Sequence, residues 1–200
     1  IKLIVGELPA DVPLIGFAGA PFTLASYLIE GGSSRVFAKT KAFLHQEPEA
    51  AETLFDALTQ ATIDLLNLQI DAGCRAVQIF DSWAGVLDPD DYAKWGLRYA
   101  KRIVEGVRRP GVPVILFAKG TGCYFETVAQ AGADVLGVEE QGPEPLVDRA
   151  LDRALLERHL LVPGLAREGG LQAGREAGRD VSLALLRFTP SRVQLAERRH

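Results

Sequence analysis

Short apolar runs alternate with amphipathic segments along the first 139 residues of the chain. The runs at 12–17, 75–80, 112–118 and 134–138 are mainly apolar and too short for helices, which is typical of parallel strands covered on both faces. Between them, apolar residues recur at a spacing of three to four, which indicates helices. The pattern therefore predicts an α/β fold in which strands and helices alternate.

The ends of the predicted helices are marked by proline, glycine and serine. Pro21 suits the first position of a helix that runs to about Ile29, and a second helix follows the glycine-serine break and reaches about His45. Further helices are predicted at 48–72, 88–107 and 125–130. On the longest helix, the stripe expected to face the core is Ala51, Leu54, Phe55, Leu58, Ala61, Leu65 and Leu68.

Two architectures fit this alternation, a doubly wound sheet and a (β/α)8 barrel. The first strand is not followed by G-x-G-x-x-G, and the chain contains no G-x-x-x-x-G-K-[ST], so nucleotide-binding versions of the fold are disfavoured. Both architectures place ligands at the carboxyl ends of their strands. We therefore look for functional residues at those ends.

Four side chains at the strand ends are candidates for binding. Phe17 and Phe80 lie near the ends of two strands, Ser82 follows the second, and Tyr27 lies on the helix after the first. Each also has an ordinary structural interpretation, since Phe and Tyr are often core residues and Ser often belongs to a turn. Weaker candidates are Asp81, which could orient neighbouring loops or face the cleft, and Lys119.

The composition narrows the classes of function. The net charge is −4, which argues against a nucleic-acid-binding protein. Cys74 and Cys123 lie in no metal-ligand spacing, so no metal site is expected, and no apolar run is long enough for a membrane span. We expect a cytoplasmic protein. Because the chain starts at Ile1 and contains no methionine, we also expect that upstream sequence is missing.

The composition changes after residue 139. From Gln141 onward the chain has no lysine, several arginines and many glycines. We therefore divide it into residues 1–139, the central part of a barrel, and an Arg/Gly-rich tail at 140–200 of uncertain fold. Within this tail we expect a helix at 145–160, a strand at 181–188 and a helix at 191–198. We do not expect residues 141–200 to supply the closing strands of the barrel with their substrate loops, and we expect loose packing or helices instead. Well-packed parallel strands beside 134–138 that carry polar residues into the cleft would count against this.

Four segments resemble the uroporphyrinogen decarboxylase family, in the family's order and spacing. They are GFAGAPFTLASYLIEGGSS (16–34), AVQIFDSWAG (76–85), PVILFAKG (113–120) and AQAGADVLGVE (129–139). The resemblance implies part of a (β/α)8 TIM barrel from a homodimeric enzyme. Its reaction removes four acetate carboxyl groups from uroporphyrinogen III to give coproporphyrinogen III. It uses no metal or organic cofactor, because the protonated pyrrole accepts the electrons.

The resemblance also implies roles for the candidates. Tyr27 matches the family tyrosine whose hydroxyl reaches into the cleft towards the substrate. The resemblance therefore implies that Tyr27 is a catalytic and substrate-binding residue. Ser82 matches the serine that binds a substrate carboxylate, while Phe17 and Phe80 would flank the flat macrocycle. The family's RQAGR, FSDIL, QGNLDP and NLGHG segments are absent from these 200 residues. We therefore expect this chain by itself to be inactive.

Two other functions stay open. One is a non-catalytic barrel fragment that only binds or associates. The other is a cobalamin or thiol methyltransferase of the same superfamily, although the His-x-Cys zinc motif of those enzymes is not found here. Measuring substrate binding separately from turnover would distinguish the first of these from the enzyme.

Overall fold

The computed structural model describes residues 1–32, 34–107, 110–139, 159–160, 181–182, 184–189 and 192–196. The helices are α1 (Lys2–Glu7), α2 (Pro21–Glu30), α3 (Ala38–Gln46), α4 (Pro48–Asp71), α5 (Pro89–Tyr92), α6 (Arg98–Val107) and α7 (Phe125–Ala129). The strands are β1 (Ile15–Gly19), β2 (Ala76–Asp81), β3 (Val114–Ala118), β4 (Val135–Glu139), β5 (His159–Leu160), β6 (Val181–Ser182), β7 (Ala184–Thr189) and β8 (Arg192–Ala196). Short 3₁₀ turns lie at Ala84–Val86 and Gly122–Tyr124, and a π-helical turn at Ala93–Leu97 joins α5 to α6.

The predicted alternation of strands and helices is confirmed, and the boundaries differ most from the predicted ones at the starts of β1 and α3. β1 begins at Ile15 rather than Val12, because the N–H of Val12 donates to the carbonyl of Pro9 in a preceding turn. α3 begins at Ala38 rather than directly after the glycines. The hydroxyl of Ser34 accepts the N–H of Phe37 at 2.9 Å, so this serine orders the entry to the helix.

The strand order decides between the two architectures. β1, β2, β3 and β4 lie side by side in the order of the sequence, and each neighbouring pair is parallel. A doubly wound sheet reverses its strand order at a switch point, whereas a barrel adds each strand beside the previous one. The described strands therefore form part of a barrel wall, as the resemblance implied.

The strands after residue 139 differ from expectation. β7 lies parallel to β4, and this pairing counts against the prediction that the tail supplies no closing strand of the barrel. Residues 192–196 form β8, antiparallel to β7, and the predicted helix at 191–198 is wrong. The sequence Arg-Val-Gln-Leu-Ala begins with alternating polar and apolar residues, a pattern that suits a strand when a neighbouring strand is present to pair with it.

Two other expectations for the tail have separate outcomes. The strand predicted at 181–188 is found as β6 and β7, with β6 pairing antiparallel with β5. Of the helix predicted at 145–160, residues 145–158 lie outside the described residues, and 159–160 form β5 instead.

The core lies between the sheet and the helices. In β2 and β3, alternate residues face the helices, among them Val77, Ile79 and Leu116, and these three are buried. They pack with helix residues to form one cluster. Its largest fully buried side chains include Phe22, Leu44, Phe55, Leu66, Tyr92, Trp95, Tyr99 and Ile103.

The buried side of α4 differs from the predicted stripe along its second half. Ala51 and Phe55 are buried as expected, but the buried series continues through Thr59, Thr62 and Leu66. The later predicted positions, Ala61, Leu65 and Leu68, are exposed. Threonine can occupy the buried side because its hydroxyl finds a local acceptor, as when Thr59 donates to the carbonyl of Phe55 at 2.7 Å.

Candidate functional site

The sheet has a second side, opposite the helices, which we call the inner face and define by Phe17, Gln78, Phe80 and Phe117. A Cβ at Gly16 would meet side chains of α4 and Cys74, so Gly16 faces the helices and the next residue, Phe17, faces away from them. The parallel register pairs Phe17 with Gln78, and Phe80 with Phe117. These four side chains therefore share one face.

An aromatic row runs across the inner face. The ring centroids of Phe17 and Phe80 are 5.9 Å apart in an edge-to-face arrangement, and those of Phe80 and Phe117 are 5.8 Å apart. Phe17 remains 63% exposed, although large apolar residues are usually buried. Phe117 was not among the residues predicted from the sequence. Its place one residue before the end of β3, matching that of Phe80 in β2, is the signal that could have identified it.

The candidates Tyr27 and Ser82 lie on adjacent elements at the carboxyl ends of β1 and β2. α2 starts directly after β1, and its Tyr27 is 52% exposed. Ser82 is the first residue after β2 and is partly buried. The ring of Tyr27 meets that of Trp83 edge-on, with centroids 6.3 Å apart. The structure thus brings the helix of Tyr27 against the loop of Ser82.

The loops after β2 and β3 are also joined to each other. The N–H of Lys119 donates to the carbonyl of Asp81 at 3.0 Å, and the N–H of Gly85 donates to the carbonyl of Lys119 at 2.8 Å. A Cβ at Gly85 would lie 2.7 Å from the Cα of Gly120, so the two backbones approach more closely than side chains allow. Lys119 itself is exposed at this same end of the sheet.

A buried carboxyl group lies directly beneath the site. Asp81 is fully buried, and its Oδ1 accepts the hydroxyl of Thr23 at 2.8 Å. Among the described residues, its Oδ2 and the hydroxyl of Tyr92 have no hydrogen-bond partner. Burial raises the pKa of Asp81 to about 6, while the hydrogen bond from Thr23 acts in the opposite direction. Burial, followed by the charge of Asp81, raises the pKa of Tyr92 well above its ordinary value.

This arrangement suits a flat ligand that carries carboxylates. Exposed aromatic edges and faces can pack against a conjugated ring, and hydroxyl groups can donate to carboxylate oxygens at its periphery. Within the described ranges, no three His, Cys, Asp or Glu side chains are grouped to hold a metal ion. None of the helices described is long and apolar enough to cross a membrane.

Comparison with known proteins identifies the family. The family profile described as "Uroporphyrinogen decarboxylase (URO-D)" matches residues 1–157, which is most of the chain. The chain belongs to the uroporphyrinogen decarboxylase family. The family match extends on both sides of residues 12–139, the region in which the four motifs were recognised.

Named relatives agree with the family profile. Uroporphyrinogen decarboxylase of Saccharophagus degradans is 52% identical over 143 residues, covering 70% of this chain and 40% of the relative. The enzymes of Hydrogenovibrio crunogenus and Citrifermentans bemidjiense are 49% and 48% identical, over 70% of this chain and 40% and 41% of their own lengths. The chain thus spans about two fifths of the length of the curated relatives it matches. Their name describes decarboxylases, which are lyases.

Proposed function

We propose that this chain forms the substrate-contacting wall of an enzyme that decarboxylates uroporphyrinogen III to coproporphyrinogen III. The observation that carries the proposal is the aromatic row of the inner face, next to Tyr27 and Ser82, in a member of this family. Phe17, at one end of this row, is 63% exposed and packs edge-on against Phe80, so its ring is available to a ligand or to another part of the protein.

Each candidate residue has a role in this proposal. Phe17 and Phe80 pack against the macrocycle, and Ser82 donates a hydrogen bond to one of its carboxylates. Tyr27 places a hydroxyl beside the reacting ring. In each of four rounds the pyrrole is protonated, the bond to the acetate carboxyl group breaks, and its electron pair passes into the ring. Carbon dioxide leaves, and protonation of the exocyclic carbon with loss of the ring proton gives a methyl group.

The proposed reaction uses no metal or organic cofactor, because the protonated pyrrole accepts the electrons. We also propose that the protein works as a homodimer in the cytoplasm and binds neither nucleic acid nor membrane. Analytical ultracentrifugation of the intact protein tests the dimer: a sedimentation coefficient of a monomer at micromolar concentration would contradict it. Cell fractionation tests the location.

The deciding experiment measures binding and turnover separately on this chain. Uroporphyrinogen III is added, and coproporphyrinogen is followed by fluorescence after oxidation, while binding is followed with the stable oxidised macrocycle uroporphyrin III. We expect binding with little or no turnover, because the family's charged RQAGR and FSDIL segments are not among these residues.

A matched variant makes the binding result specific. The double substitution Phe17→Ala/Ser82→Ala removes one aromatic contact and one hydroxyl from the proposed site, at positions that are exposed or partly buried. Equal binding by the unaltered chain and this variant would contradict the proposed site. Turnover equal to that of a full-length relative would contradict the expected inactivity.

A further inference from the structure

The two residues on either side of Ser82 are both bound to one threonine of α2. The hydroxyl of Thr23 donates to Oδ1 of Asp81 at 2.8 Å, and the N–H of Trp83 donates to the same hydroxyl oxygen at 3.3 Å. Ser82 lies between these two attachment points. Its backbone is therefore held against α2 from both sides.

The chemistry of the groups fixes the direction of these hydrogen bonds. An ionised carboxylate can only accept, so the single proton of the Thr23 hydroxyl points to Asp81. The oxygen of Thr23 is then left to accept the N–H of Trp83. Asp81 therefore orients the hydroxyl of Thr23, and this hydroxyl holds the backbone of Trp83.

A second contact joins the same two elements one helical turn further along. Tyr27 lies four residues after Thr23, so both side chains are on the same side of α2. The ring of Tyr27 meets Trp83 edge-on, and Trp83 also packs against Phe37 at a centroid distance of 4.9 Å. The distance between the two candidate hydroxyls, on Tyr27 and Ser82, thus depends on how the loop is held to the helix.

A purely structural need does not explain a carboxyl group at this place. Asp81 is fully buried, and Oδ2 has no hydrogen-bond partner among the described residues. Burying a charge that is incompletely paired costs stability, and an apolar residue of similar size would avoid that cost. The carboxylate does orient the hydroxyl of Thr23, an effect that an apolar residue could not have.

We propose that Asp81 and Thr23 are positioning residues that hold Ser82 and its loop in register with Tyr27. The consequence for substrate rests on the proposed function, whereas the positioning itself does not. Neither residue is required to touch the substrate, since each acts through the position of the loop that carries Ser82.

Iodide quenching of tryptophan fluorescence tests the positioning without any substrate. The chain has two tryptophans, of which Trp95 is 1% exposed and Trp83 is partly buried, so iodide reports mainly on Trp83. We expect Thr23→Val to increase quenching, because it removes both hydrogen bonds at nearly constant volume. Thr23→Ser, which retains a hydroxyl, is expected to restore the quenching of the unaltered chain.

The matched control is Thr59→Val. Thr59 is equally buried, but its hydroxyl donates within α4 and belongs to no contact with the loop. It should leave the quenching unchanged. Unchanged quenching in folded Thr23→Val, or an equal increase in Thr59→Val, would overturn the proposal. If Thr23→Val does not fold by circular dichroism, Thr23→Ala takes its place, since it removes the hydroxyl with a smaller side chain.

A double-mutant cycle tests whether Asp81 acts through Thr23. Asp81→Leu should increase quenching as Thr23→Val does, and the double variant should be no more quenched than either single one. Additive increases would show that the two residues act separately and would contradict the proposal.

Uroporphyrin III binding then connects the positioning to the proposed function. We expect Thr23→Val to weaken binding about tenfold, the loss of roughly one well-placed hydrogen bond, and Thr23→Ser to restore it. If the unaltered chain binds no uroporphyrin, the proposed function fails while the quenching result still decides the positioning. If binding is normal in a variant whose loop is released, the link between positioning and substrate is contradicted.

Discussion

The two faces of the sheet are both rich in aromatic residues, yet they are covered in different ways. On the helix side, Phe22, Phe55 and Trp95 are at most 1% exposed, because they pack between the helices and the sheet of the same chain. On the inner face, Phe17 is 63% exposed although it touches Phe80. Identical residue types therefore serve packing on one face and are available for contact on the other.

The difference shows which part of the fold this chain completes by itself. Burial of the helix side removes apolar area from water and stabilises the fold regardless of any ligand. An aromatic residue that is mostly exposed contributes much less to stability. Its value must come from what it later contacts, which is the basis for expecting separate effects on stability and on binding.

The largest expected effect compares Phe55→Ala with Phe17→Ala. Truncating the buried Phe55 should lower the free energy of unfolding by about 3–5 kcal/mol, through lost burial and a cavity. The same truncation at the exposed Phe17 should cost less than about 1 kcal/mol but weaken uroporphyrin binding. Urea unfolding followed by circular dichroism measures both; equal losses of stability would contradict the comparison.

Asp81→Asn should change how stability depends on pH. Burial raises the pKa of Asp81 to about 6 in the folded chain, above the ordinary value of 3.8. Between these values the folded state holds more protons than the unfolded state, so the unaltered chain loses stability as pH rises from about 4 to 6. Asparagine does not titrate. The variant should therefore gain stability relative to the unaltered chain, by up to about 3 kcal/mol between pH 4 and pH 7.

Urea unfolding at several pH values measures this gain. All other titrating groups are common to both proteins and cancel in the difference. A stability difference that stays constant from pH 4 to pH 7 would show that the pKa of Asp81 is not raised.

A smaller effect is expected where the loops after β2 and β3 cross. Gly85→Ala would place a Cβ 2.7 Å from the backbone of Gly120, and relieving this clash should cost about 1–3 kcal/mol. Gly6→Ala is the control, because nothing lies within 4 Å of its added Cβ, and helix α1 should be no less stable for it. Thermal unfolding compares the two. A tolerated Gly85→Ala would argue against a close contact between these loops.

The smallest effect on stability is expected at the candidate site itself. Tyr27→Phe and Ser82→Ala should each change the free energy of unfolding by no more than about 0.5 kcal/mol. Each should weaken uroporphyrin binding roughly ten- to a hundredfold if its hydroxyl bonds a charged carboxylate. Tyr99→Phe, on the buried helix side, is the control and should leave binding unchanged. Loss of uroporphyrin binding in Tyr99→Phe would contradict the proposal that binding depends on the candidate site and not on the helix side of the sheet.

Local signals in the sequence were enough for the elements between residues 12 and 139. Short apolar runs and the prolines at the starts of α2 and α4 identified strands and helices close to where the structure has them, because both signals act within a few residues. The family motifs located Tyr27 on the helix after the first strand and Ser82 at the end of the second, for the same reason. The roles of these residues stay predictions.

Other features depended on neighbours that are distant along the chain. The second half of the buried side of α4 was predicted wrongly, since threonines face the core there. The hydroxyl of one of them, Thr62, donates to the carbonyl of Gly19, 43 positions away. Residues 192–196 were predicted as a helix but pair with β7, because the partner strand decides between two weak local preferences.

Periodicity and motifs are local properties of the sequence, and they were sufficient to predict the alternation of strands and helices, the family and, through the family, the barrel. The aromatic row that includes Phe117 and the link from Asp81 through Thr23 to Trp83 arise from tertiary packing and were not predicted. Thr23 and Asp81 are 58 positions apart. Contacts at that separation exist because parallel strands place their carboxyl ends together, a consequence of packing that no local pattern contains.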